Sequence, residues 1–344
     1  MLVLRNALET DLDAVYEMAR GIGPGMTTLK ADRGALRERL AVASASFAGD
    51  VAPEDADYLF VLEDLAAGRV CGVSAIKAAV GVREPFYNYR IATTVHASPT
   101  TGKVKRVQSL HLSHDLSGAA ELCSLYLDPA WRGGISGRLL SKGRLLFLAQ
   151  FPQLFGRKLF AEMRGFQDQD GSSPFWEAVG RPFFDMAFHE ADDLCGKGDR
   201  LFIEHLVPRL PLYTHLLGEA ARAAIGTTHT DTAPARRLLE QEGLHFDGYI
   251  DIFDGGPVLQ ANLHDLRAVR ESRLAPVRAG VPQAAVPTLA ACTQRHAFRV
   301  VVADTDPNTP IVTLPQAALD AMACNAGTLL RLMPLFSGGL PQRH

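Results

Sequence analysis

The apolar positions of this chain fall in short runs, some spaced as strands and some as helices. Residues 1–5 (MLVLR) read as a strand, and Thr10 or Asp11 is placed to cap a helix running to about Arg20. Glycine and proline at 21–25 (GIGPG) break both kinds of element and predict a loop. Tyr58–Glu63 and Arg69–Ile76, rich in β-branched and apolar residues and separated by Asp-Leu-Ala-Ala-Gly, carry a hairpin signal. A third run, Tyr87–His96, is expected to extend the same antiparallel sheet.

Glu121–Leu127 (ELCSLYL) is the next strand, ending at Asp128-Pro129 and opening into the turn Arg132-Gly-Gly-Ile-Ser-Gly137. From Arg138 to Gln150, Leu139, Leu140, Leu145, Leu146 and Leu148 recur at near-helical spacing, so the turn feeds a helix. Lys158–Met163 then reads as a strand, Pro174–Val179 as a short helix stopped by Gly180, and Pro182–Phe188 as another strand. A weaker echo of that β-α-β order follows in Ile203–Leu206, a helix Ala233–Gln241 stopped by Gly243, and a strand Tyr249–Phe253. SPFWEAVGRPFF against APARRLLEQEGLHF suggests a half-repeat. Residues 272–288 lose periodicity and hold three prolines, which predicts a linker. Phe298–Ala303, Pro310–Val312 and Thr328–Met333 are expected as short strands around a helix at Pro315–Ala323.

A chain of 344 residues exceeds the usual domain size and should hold two structural units with a small third. We divide it into 1–200, 201–275 carrying a second α/β half, and 276–344 comprising the linker and a small β-rich unit. Hydrophobic residues at 47% and charged residues at 21% describe an ordinary globular chain. A net charge of −3 gives no field to attract nucleic acid, so any anion site must be local. Five scattered cysteines without a CxxC pair argue against a disulfide framework and a zinc site, and fit reduced thiols in a cytosol. The N-terminus lacks a secretory layout, and no apolar run approaches the ~20 residues that span a bilayer. The expected location is cytoplasmic, with no metal and no membrane partner.

The strand, glycine turn and helix at 121–150 hold the densest chemical signal. Glycines admit a ligand close to the backbone, and free amides at a helix start favour anions. Arg132, Arg138, Lys142 and Arg144 place four positive charges in and after the turn. Taken alone, such a segment is also a common structural turn with a solvated basic face.

These residues resemble the acyl-CoA N-acyltransferase (GNAT) superfamily, whose phosphate loop reads Arg/Gln-x-x-Gly-x-Gly; here Ile135 replaces the first of its two usual glycines. The resemblance sharpens to the arginine N-succinyltransferase family through YLFVLED at 58–64, YNYR at 87–90, ELCSLYLDPAWR at 121–132, GRLLSKGRLLF at 137–147, AEMRG at 161–165, SPFWEAVGRPFF at 173–184 and YIDIFDGGP at 249–257. It implies an α+β fold: a mixed, mainly antiparallel GNAT-like sheet flanked by helices, a second GNAT-like half and a β-rich C-terminal appendix. It also implies succinyl-CoA as co-substrate, no tightly bound cofactor, L-arginine as acceptor and ornithine as a second amine. Leu125 is the implied coenzyme contact on a splayed strand. Arg132, Gly133, Gly134, Ser136 and Gly137 match the phosphate loop, and His229 in GTTHTDTAPA matches the family's proton donor. Association between copies of the chain is expected, with a hetero-oligomer as the alternative.

The chemistry is consistent with that assignment. A guanidinium, with a pKa above ~12, keeps its proton at any physiological pH, so only the α-amine, with a pKa of about 8, can attack a thioester. An imidazole near ~6.5 is matched to protonate a departing thiolate. Cys123 raises a rival ping-pong route through a succinyl-cysteine; by strand alternation it shares a face with Leu125 and Leu127, which favours a core role. Glu121, Glu162, Asp251 and Asp254 are candidates for the guanidinium, and Arg90 and Arg164 for the succinyl carboxylate. Two other readings stand beside this one: an N-acyltransferase with another acyl-CoA or amine, and a non-catalytic subunit of a hetero-oligomer.

Overall fold

The computed structural model describes residues 1–22, 26–168, 170–196, 201–283 and 285–337. Gly23–Gly25 of the expected first loop lie outside the described residues. The N-terminal run forms β1 (Leu2–Asn6) and leads into α1 (Leu12–Arg20), as its pattern predicts. A helix that the pattern did not show, α2 (Arg33–Ala48), follows, with Asp32 accepting the Ala35 amide as its cap at 2.9 Å. The expected hairpin is β2 (Asp57–Asp64) and β3 (Arg69–Lys77). Next come the long hairpin β4 (Asn88–Ser98) and β5 (Lys103–Ser113), then β6 (Ala120–Leu127), α3 (Ser136–Gln150) and β7 (Lys158–Glu162).

Two expected strands are helices. Residues 174–184 form one continuous helix with a π turn at Trp176–Gly180 that runs into α4 (Arg181–Phe184), and α5 (Phe188–Gly196) follows. Gly180 does not stop this helix. A Cβ there would lie 2.2 Å from the Trp176 ring, so glycine serves to seat the indole, which Phe184 covers at 5.2 Å. The run Ile203–Leu206 lies in α6 (Leu201–Leu206), so the first strand of the proposed half-repeat is also helical. Short apolar runs satisfy strand and helix alike, and packing decided both.

The chain continues through β8 (Leu212–Tyr213), α7 (Glu219–Ala224), α8 (Ala233–Gln241), β9 (His245–Asp251), β10 (Pro257–Asn262) and α9 (Arg267–Glu271). The run read as a linker holds β11 (Arg273–Ala279) and the start of β12 (Val286–Cys292). Pro276 and Pro287 are tolerated because β11 begins pairing with the strand Val312–Leu314 only after Pro276, and β12 with the strand Leu329–Pro334 only after Pro287. β13 (Arg299–Thr305), β14 (Val312–Leu314), α10 (Gln316–Ala321) and β15 (Leu329–Pro334) complete the described chain.

Among the described residues these strands form one sheet in the order β14-β11-β15-β12-β13-β1-β2-β3-β6-β7-β10-β9-β4-β5-β8. Its described pairs are antiparallel except β11–β14 and β6–β7. β4 therefore joins the sheet of the first hairpin but stands far from it, with β6, β7, β10 and β9 between. No helix of the described residues is long and apolar enough to cross a membrane.

α3 is buried around nearly its whole circumference rather than on one stripe. Its Phe147, fully buried, meets the rings of Phe47, Tyr58, Phe60, Phe151 and Phe298 at 4.8–5.6 Å, joining α2, β2 and the C-terminal segment into one core. Phe147→Ala is expected to destabilise the protein by about 3–5 kcal/mol, read as a shift in the urea unfolding midpoint.

Candidate active site

β6 and β7 run parallel and pair only at Ala120↔Leu159 and Glu121↔Phe160. From Leu122 to Leu127, β6 is paired with β3 alone, so its other edge leaves backbone groups free beside β7. A bulge sets this parting. The β3–β6 register passes from Val73↔Tyr126 to Ala75↔Cys123, so Ser124 and Leu125 together face Ser74. Ser124 takes a left-handed conformation (φ 53°), a strain of about 1–3 kcal/mol in a residue that is not glycine.

The bulge also shifts the alternation of side chains by one residue. Cys123 packs with Leu59, Val61 and Ala75 on the α1–α2 face of the sheet, whereas Leu125 and Leu127 pack with the α3 core. The expectation that these three share a face fails for that reason. Burial and the nearby Glu121 push the Cys123 thiol up to about 11, so no thiolate is available there at neutral pH.

At the end of β6 the chain turns through Asp128–Ile135. Asp128 accepts the Ala130 amide (2.9 Å) and pairs with Arg69 (3.1 Å), whose guanidinium lies over the Trp131 ring. Gly133 (φ 95°) and Gly134 (φ 57°) take left-handed conformations and present no close neighbour to a would-be Cβ, so this backbone is open to approach. α3 then begins at Ser136 without a side-chain cap and without an acidic residue in its first turn. The Ser136, Gly137 and Arg138 amides thus keep their donors and the positive end of the helix dipole unneutralised.

Of the four basic residues expected around this turn, two remain beside it. Arg132 is exposed and bonds the Leu127 carbonyl (3.2 Å), while Arg138 bonds the Gly134 carbonyl (3.3 Å) and lies over Phe336. Lys142 and Arg144 are instead buried. Lys142 pairs with the fully buried Glu242 at 2.9 Å, and Arg267 pairs with the same oxygen at 2.9 Å. This ties α3 to the end of α8.

α8 follows directly on the His229 loop. The His229 amide donates to the Arg164 carbonyl (2.8 Å), and Thr228 bridges to Gly165. The amides of Met163 and Gly165 point the other way, to the Pro257 carbonyl (3.0 Å) and the Asp254 carboxylate (2.7 Å) on the β10 side. Backbone groups alternate sides along an extended strand, so the histidine segment lies on the flank of β7 that β6 has left. Nδ1 accepts the Asp231 amide (3.2 Å), which puts the proton of the neutral ring on Nε2. Burial first, and then the charge of Arg164, lower the His229 pKa below its ordinary 6.5.

Beside this loop, Glu162, Asp251 and Asp254 line a cavity together with Asp192 and Arg164. Burial and the mutual repulsion of these carboxylates raise Glu162 and Asp254 well above the ordinary range, and Asp251 is raised by burial. Three of the four acids considered from sequence meet here. Glu121 lies buried on β6 and adds its charge to Glu162. Asp192, which ion-pairs with Lys30, carried no signal in the sequence, since α5 was read as strand at its start. Gly256 lets the turn carrying Asp254 approach the end of β7, as a Cβ there would lie 2.1 Å from the Met163 carbonyl. Arg164 bonds Gln167 and keeps a buried Nε without a partner. Arg90 stands at the surface against Asp115 (3.8 Å) and Tyr249, away from the cavity.

A mixed sheet that parts between two parallel strands, one of them leading through a glycine turn into an uncapped helix, defines the GNAT-like acyl-CoA N-acyltransferase class. The family described as arginine N-succinyltransferase beta subunit matches residues 2–268. Arginine N-succinyltransferases from Citrobacter koseri and an Escherichia coli O139:H28 strain are each 45% identical over 337 residues, covering 97% of this chain and 98% of theirs. The structure of the arginine/ornithine succinyltransferase subunit AI from Pseudomonas aeruginosa superposes with a TM-score of 0.89 at 38% identity, covering 98% of this chain and 99% of that one. The chain belongs to the arginine N-succinyltransferase family and is an acyltransferase.

Glu242 serves two buried cations, and removing it leaves Lys142 without a carboxylate and Arg267 with Glu271 alone (3.2 Å). Glu242→Ala is expected to lower stability by about 3–5 kcal/mol in chemical denaturation.

Proposed function

We propose that the enzyme transfers the succinyl group of succinyl-CoA to the α-amine of L-arginine by direct attack in a ternary complex in the cytoplasm. The observation that carries this reading is the arrival of His229 on the flank of β7 vacated by β6. A coenzyme arm lying along the free edge of β6 would pair with its backbone as an added strand at Leu125, bringing the thioester toward the histidine. Its phosphates would meet the amides of Gly133, Gly134, Ser136 and Gly137 and the side chain of Arg132.

Arginine enters with its guanidinium among Glu162, Asp251 and Asp254. Three buried carboxylates that repel one another are relieved by a delocalised cation with five donors. Arg164, with its unpartnered Nε beside His229, suits the succinyl carboxylate. The α-amine attacks the thioester carbonyl, the C–N bond forms and the C–S bond breaks. The neutral ring of His229 takes up the proton that the amine sheds, and the imidazolium so formed delivers its Nε2 proton to the departing sulfur. The lowered pKa keeps the ring neutral at pH 7, ready to take the amine's proton. A succinyl-cysteine route is disfavoured because the Cys123 thiol holds its proton.

Steady-state succinylation of arginine tests the assignment. His229→Ala is expected to lower turnover roughly 10²-fold or more, with the binding of both substrates retained. Wild-type turnover should hold through neutrality and fall only at a more acidic pH than an ordinary imidazole would set, where the ring becomes protonated before the reaction starts. Unchanged turnover in His229→Ala would remove the role.

The carboxylate cavity makes a separate prediction. Glu162→Gln and Asp254→Asn should raise the KM for arginine about tenfold or more and leave that for succinyl-CoA unchanged. Acids with raised folded-state pKa values stabilise the fold at low pH, and that contribution is lost as pH rises through those values. Bound guanidinium offsets the loss, so the rise in Tm on adding arginine should grow with pH.

A further inference from the structure

Arg144 is 1% exposed on the inner side of α3, and among the described residues no carboxylate pairs with it. Its Nη1 donates to the carbonyls of Ala75 (3.3 Å) and Cys123 (3.2 Å), and its Nε to that of Ser141 (3.4 Å). Ala75 and Cys123 are the register pair bordering the bulge, one on β3 and one on β6. From the opposite face of the sheet, Arg39 donates to the Ser124 hydroxyl (2.9 Å), which itself donates to the Thr28 carbonyl (3.1 Å). Arg39, unlike Arg144, has its own carboxylate in Asp57 (2.7 Å).

We infer that Arg144 is a positioning residue that grips both strands at the border of the bulge and holds Ser124–Leu125 in the conformation that keeps the β6 edge open to the coenzyme. This rests on the reading of β6 as the seat of the CoA arm. A buried cation without a counter-charge is a poor way to fill a core, since an apolar side chain of similar volume packs there at least as well. Its desolvation pulls the guanidinium down to about 10. What arginine supplies and methionine does not is a rigid fork of donors able to reach two carbonyls on two strands at once.

The test compares wild type, Arg144→Met and Arg144→Lys by calorimetric binding of free CoA, by steady-state kinetics in both substrates and by thermal melting. Arg144→Met should melt at or above the wild-type temperature, bind CoA at least tenfold more weakly and show a matching rise in the succinyl-CoA KM, with the arginine KM unchanged. Arg144→Lys, which keeps a single donor group, should fall between the two. A folded Arg144→Met with CoA affinity within twofold of wild type overturns the inference, as does a loss shared equally by both substrates and accompanied by a lower Tm. Should Arg144→Met fail to fold, Arg144→Lys decides: a CoA-specific loss supports the role and native CoA affinity overturns it. Wild type that binds no CoA overturns the underlying reading instead.

Discussion

The parting of β6 from β7 is the constraint on which the site depends. Two parallel strands in the middle of a sheet ordinarily pair along their length, and here they pair at two positions and separate. A local rearrangement imposes this: one extra residue at Ser124–Leu125, a left-handed Ser124, and arginines holding the region from both faces. Such a conformation persists only when its surroundings over-determine it. The opening exposes a row of backbone donors and acceptors in the interior of the molecule, where a linear amide-bearing ligand can complete the ladder.

Everything else converges on that opening from distant parts of the chain. The glycine turn and the uncapped start of α3 lie at the far end of β6. The His229 loop is bonded to β7 through Arg164, and α8 behind it is bonded to α3 through Glu242. The C-terminal segment joins the same network, with the Leu335 carbonyl accepting from Lys142 at 3.0 Å and the Pro334 carbonyl from Arg267 at 3.2 Å. The segment read from sequence as a small β-rich unit beyond a linker thus buttresses the helix that begins at the turn.

The acid cavity shows how one fold separates two opposite charges. Free amides and Arg132 gather at the glycine turn, and Glu162, Asp251 and Asp254 are desolvated together at the cavity. A net charge of −3 over the whole chain conceals both. On the proposed reading, this separation gives the coenzyme phosphates and the acceptor's guanidinium different seats.

By itself the sequence determined what local periodicity and turn chemistry can express: β1, α1, the β2–β3 hairpin, and the run of β6, glycine turn and α3, where alternation, glycine and helical spacing follow within thirty residues. The proposal of His229 as proton donor rests on resemblance, because a loop histidine carries no local pattern. Tertiary structure alone decided the rest. Ser124 looks like any strand serine until β3 slips against it, and Lys142 and Arg144 look like a solvated basic face until Glu242, a hundred residues on, and the carbonyls of β3 and β6 close around them. The helices at 181–184 and 201–206 read as strands, and the strand at 273–279 and the start of that at 286–292 as linker, because runs so short take the element their neighbours can pack. Burial, register and charge pairing are set between residues far apart in the chain, and no window of local pattern contains both partners.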